Sequence, residues 1–97
     1  MQRAAAGAVL LKKAMRNPDS FQLESAVVVD GTNAVCYEYR AQNGFGGMNV
    51  GRAFISSDGQ QFLMSEPRTD GFDAIWNREC ANKSGTNAAT LIRQRFM

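Results

Sequence analysis

Apolar positions recur along this chain in two different periods, and each change of period marks a new element. Residues 2–16 are rich in alanine, leucine and lysine, which favour helix, and Ala6, Val9, Leu10 and Lys13 fall at helical spacing. This predicts an N-terminal helix of soft amphipathicity, because alanine discriminates weakly between faces. Asn17-Pro18-Asp19-Ser20 ends it, since proline disfavours helix in the residue before it. From Phe21 the period becomes two: Phe21, Leu23, Ser25, Val27 and Val29 alternate, and the run closes on three valines. Alternation with β-branching predicts a strand over 21–29. Asp30-Gly31-Thr32-Asn33 is a hairpin turn signal.

The next predicted strand, 34–42, places Val35, Tyr37, Tyr39 and Ala41 on one face and Cys36, Glu38, Arg40 and Gln42 on the other. Glu38 and Arg40 read as an ion pair. After the glycine-rich 43–47, strand character resumes over 49–57 through Val50, Arg52, Phe54 and Ser56. Asp58-Gly59 turns the chain into a short strand at 61–65. From Phe72 the period is helical again, with Phe72, Ile75, Trp76, Glu79 and Cys80 at i, i+3, i+4, i+7 and i+8. Asp70 is the predicted N-cap, and 82–87 supplies helix-ending turn chemistry. The pattern predicts one α+β domain over 1–97: an N-terminal helix, an antiparallel meander of three to four strands, and a C-terminal helix packed on the sheet through Phe72 and Trp76. Its compact part is 5–82, leaving 83–97 as a tail or a short final helix.

Length changes this picture little: 97 residues make one domain with one modest core, burying roughly 65% of the unfolded chain's surface. With 44% hydrophobic and 21% charged residues the composition is that of a globular protein. Eleven basic and nine acidic residues are interspersed and leave a net charge of +2, so no basic stripe marks a dedicated nucleic-acid binder. Histidine is absent, which removes the commonest general base and metal ligand. No apolar run approaches the ~20 residues of a membrane span. Arg3 and the apolar 4–11 briefly resemble a signal peptide, but Lys12, Lys13 and Arg16 follow without a small-x-small cleavage site. The segment reads as helix, with a native signal expected to have been removed.

Candidate chemistry is sparse. Cys36 and Cys80 are the only cysteines; the residues allow two buried thiols in a reduced cytoplasmic protein, or a disulfide joining sheet and helix. No C-x-x-C spacing suggests redox catalysis or zinc. The loop Asn43-Gly44-Phe45-Gly46-Gly47-Met48-Asn49 leads into a strand and lacks Gly-Lys-Ser/Thr, so it reads as a hairpin and not as a phosphate cradle. Phe45 at its tip, with Asn43, Met48 and Asn49, forms the expected partner-binding surface. Tyr37, Tyr39, Arg40 and Arg52, with Phe54, suggest an alternative aromatic and basic sheet face that stacks single-stranded bases; the same alternation serves a covered core, the favoured reading. The acids read as turn, cap and ion-pair residues, and no catalytic residue, cofactor or metal is expected.

Asn17-Pro18-Asp19-Ser20-Phe21 after a helix, Val35-Cys36, Ala41-Gln42-Asn43-Gly44-Phe45-Gly46-Gly47-Met48, and Trp76-Asn77-Arg78-Glu79-Cys80 together resemble a group of small uncharacterised bacterial proteins, mostly exported or lipoprotein-like. The resemblance covers roughly residues 10–82. Met48 stands where an aromatic is usual and Tyr37 where glycine is common. It implies an exported domain with Cys36 bonded to Cys80, and it carries no activity. The resulting expectation is a non-enzymatic interaction module, periplasmic or secreted, with a protein or envelope partner. Reduced cysteines would instead indicate the cytoplasm and bring the nucleic-acid alternative forward.

Overall fold

The computed structural model describes residues 2–42, 47–65 and 70–97. In chain order the elements are α1 (Gln2–Lys13), a 3-10 turn (Pro18–Ser20), β1 (Gln22–Val29), β2 (Val35–Gln42), β3 (Met48–Ile55), β4 (Phe62–Met64), α2 (Phe72–Glu79), β5 (Gly85–Asn87) and α3 (Ala89–Phe96). The strands form one antiparallel sheet in the order β4-β3-β2-β1-β5. It is a meander with a fifth strand added on the far side of β1. The α+β architecture agrees with the sequence pattern.

One face of the sheet is covered by α1 and α3. Val35, Tyr37, Tyr39 and Ala41 of β2 point into this layer, where Leu23, Ala26, Ala53 and Ile55 join them. The helix α1 meets them through Ala4, Ala5, Ala8 and Leu11, and not through the stripe containing Ala6 and Leu10, both of which are exposed. Small side chains are required because the helix lies close to the sheet. A Cβ on Gly7 would sit 2.3 Å from Tyr37 Oη and 2.6 Å from Ile55 Cδ1. That proximity lets Tyr37 Oη donate to the Ala4 carbonyl at 2.6 Å. Burial of its ring holds the Tyr37 hydroxyl well above the ordinary value of 10.0.

The opposite face is covered at one end only. Phe72 and Trp76 of α2, 6.0 Å apart between ring centres, pack on Val29, Ala34, Cys36 and Phe54 as a second, separate apolar cluster. Cys36 in β2 is bonded to Cys80 at the end of α2. The predicted cap on Asp70 is not used: Gly71, with φ of 77°, precedes the helix, and no side chain caps it. The turn conformation is open to glycine at little cost.

Two further departures have local causes. A β-bulge between Leu23 and Ser25 leaves Glu24 without an opposite residue on β2, so the simple alternation of 21–29 breaks. Leu23, Ala26 and Val28 face α1 and α3, whereas Val29 faces α2. The segment 83–97 belongs to the fold and is the short-helix alternative, not a tail. Gly85 permits close pairing, since a Cβ there would lie 2.3 Å from the Val28 carbonyl oxygen. Asn87 Oδ1 accepts from the amides of both Ala26 and Ala89 at 3.1 Å, tying β1 to the start of α3. Ala88, Ala89 and Ile92 then complete the first core. Arg93 Nη1 donates to the Leu23 carbonyl, closing the outer edge of β1 beyond β5.

Candidate interaction surface

An eight-residue helix is about 12 Å long, whereas eight-residue strands such as β2 and β3 span about 26 Å. The short helix α2 therefore leaves half of its face open. Register sets what occupies the open half. Glu38 lies opposite Arg52, Arg40 opposite Val50, and Gln42 opposite Met48. Arg52 Nε is 3.4 Å from Glu38 Oε2, and Arg40 Nε is 3.2 Å from Glu24 Oε1, which the bulge brings into reach. The ion pairs thus run between strands, and Glu38 is paired with Arg52 and not with Arg40. These four side chains are partly exposed and sum to zero charge. Arg52 also joins the open half to the covered half, its guanidinium lying 4.8 Å from the centre of the Trp76 ring.

Beyond the ion pairs the surface turns apolar. Met48 is 49% and Val50 62% exposed, and their i, i+2 spacing puts both on the face of α2. The neighbouring end of β2 is braced by the 3-10 turn. Ser20 Oγ donates to the Asn17 carbonyl at 2.7 Å and accepts from the Gln42 amide at 2.8 Å, while Asn17 Nδ2 donates to Gln42 Oε1 at 2.6 Å. Phe21 then stacks on Tyr39 at 5.4 Å. The Asn-Pro-Asp-Ser segment thereby fixes the rim of the open surface.

Of the expected partner-binding residues, Asn43 and Phe45 lie outside the described residues. Met48 is on the open surface, and Asn49, exposed but opposite Ala41, belongs to the other face. The aromatic and basic grouping is not brought together. Tyr37 and Tyr39 are buried beneath the helices, Arg40 and Arg52 stand on the reverse face, and Phe54 packs under α2. Stacking of bases needs exposed rings, so these tyrosines form no such platform. The sequence pattern does not single out Val50 or Glu24 as surface residues. Val50 had a signal in its alternation with Met48 and Arg52, whereas Glu24 depends on a bulge that no local pattern announces.

Two further acids, Asp58 and Asp30, serve turns. Asp58 Oδ1 accepts from Ser56 Oγ at 2.6 Å and the Gln60 amide at 2.9 Å, and these bonds lower its pKa. Ser84 Oγ donates to Asp30 Oδ2 at 3.4 Å, beside the hairpin. Among the described residues no three His, Cys, Asp or Glu converge as a metal site, and no helix is long and apolar enough to cross a membrane. Comparison with protein-family models, curated proteins and solved structures finds no match.

Proposed function

We propose that this protein is a small, non-enzymatic interaction module of the bacterial envelope or exterior. It engages a protein partner through the open half of the sheet face. The observation that carries this reading is the exposed Met48–Val50 pair beside two ion pairs, on a surface held rigid by the sheet. Apolar centres with polar surroundings are the usual anatomy of a protein-binding patch. The Cys36–Cys80 bond supports an oxidising location, where disulfides persist.

The test is capture of envelope proteins by the immobilised, oxidised domain, with Met48→Asp/Val50→Asp as the comparison. Loss of the captured partner with an unchanged melting temperature is expected. Equal capture by wild type and variant would remove the surface from consideration, and Phe45→Ala then tests the other residue expected to bind a partner.

A further inference from the structure

We infer that the Cys36–Cys80 bond is a reducible latch on α2: external thiols open it, and α2 then lifts from the sheet while the rest of the domain stays folded. The inference is independent of the docking surface proposed above, because it rests on how the two apolar clusters are divided.

The first cluster unites α1, α3 and the inner face of β1, β2 and β3, and α2 contributes nothing to it. Helix α2 belongs wholly to the second cluster, where its buried side chains are Phe72 and Trp76. It has eight residues and no side-chain cap, well short of the length at which a helix holds itself together in water. The chain enters α2 from β4, a strand of three residues, and leaves it for β5, also of three. Docking of α2 on the sheet therefore rests mainly on Phe72 and Trp76, with half-buried Ile75 beside them and Arg52 over the Trp76 ring, and on one covalent bond. Removing the bond shifts the balance toward the undocked helix without touching any residue of the first core.

The two sulfurs are also unequally placed. Cys36 is 4% exposed within β2, whereas Cys80 is half-buried at the end of the helix. The accessible point of attack is therefore Cys80. An incoming thiolate bonds to Cys80 Sγ, the disulfide breaks, and its electron pair passes to Cys36 Sγ, which takes a proton. A second thiol of the same dithiol reductant resolves the mixed disulfide and frees Cys80. The protein gains two electrons and two protons, and the reductant leaves as its own disulfide.

Trp76 is the only tryptophan and lies in the element that moves, so it reports directly. The oxidised protein is treated with a dithiol and followed by Trp76 emission and amide hydrogen exchange. The expected result is a red shift of emission and loss of protection of the α2 amides, with Ala8, Tyr37 and Ile92 still protected at least about tenfold more than α2. Cys80→Ala, without reductant, should reproduce the reduced state. The inference is overturned if Trp76 keeps its emission and protection after reduction, or if the first core falls to the same protection as α2. It is equally overturned if excess dithiol leaves the bond intact in the native protein, even where Cys80→Ala undocks the helix.

Discussion

The two faces of the sheet are solved in opposite ways. On one, two helices lay small and branched side chains across the whole width, and Tyr37, Leu11, Leu23 and Ile92 are completely or almost completely buried without any cross-link. On the other, a single short helix brings two aromatic rings, and a disulfide holds it down. The difference teaches what a covalent bond is for in a domain this small. Where shape allows close approach, burial alone orders the elements; where the cover is too short to bury much, linkage substitutes for area.

The largest effect tests the linked face. Cys36→Ala/Cys80→Ala opens a loop of 44 residues, and the chain-entropy relation puts the loss at about 4 kcal/mol in denaturant unfolding. On the packed face, Ile92→Ala should cost about 3 kcal/mol, a loss incompatible with residues 88–96 being a dispensable tail. Gly7→Val should cost about 1–3 kcal/mol through overpacking, because its Cβ would enter the space of Tyr37 Oη and Ile55 Cδ1. Thermal melts of Ile92→Ala and Gly7→Val with the disulfide intact, set against those of Cys36→Ala/Cys80→Ala, separate the two faces.

Smaller effects sharpen the contrast. Tyr37→Phe removes the bond to the Ala4 carbonyl and should lower stability by about 1 kcal/mol. It should also change the alkaline limb. Burial raises the Tyr37 pKa above its ordinary 10.0, so the folded state retains a proton that the unfolded chain has begun to release. That contribution is whole below pH 10 and declines as pH rises beyond it. Urea midpoints measured on the alkaline side of pH 10 should therefore fall less steeply in Tyr37→Phe than in wild type. Smallest of all, Arg52→Ala breaks a half-exposed ion pair and a contact over Trp76, and should cost about 0.5–1 kcal/mol.

Much of this architecture is legible in the sequence because periods of two and 3.6 survive in most elements. The faces of β2 follow directly from alternation, and Phe72, Trp76 and Cys80 share a helical stripe as their spacing says. What stayed hidden has physical reasons. The buried face of α1 is made of Ala4, Ala5, Gly7 and Ala8, and small residues give no hydrophobic contrast even where close approach selects them. Strand β5 is three residues of glycine, threonine and asparagine; it pairs because Gly85 admits the Val28 carbonyl, a tertiary fact that its polar composition conceals. The bulge at Glu24 inverts the parity of the strand beyond it, so a correct strand assignment still misplaces its side chains. The open surface is half legible: Met48 stands out beside the glycine-rich segment, while its companion Val50 becomes evident only once α2 is seen to stop short.

The most direct test of this account is the state of the two sulfurs. Protein produced in an oxidising host is alkylated under native conditions, then mapped by mass without reduction. The expected result is no alkylated cysteine and a single linked peptide carrying Cys36 and Cys80. Free, alkylated Cys36 and Cys80 in a protein that still protects Trp76 would contradict it, because the short cover would then be holding the second face without its bond.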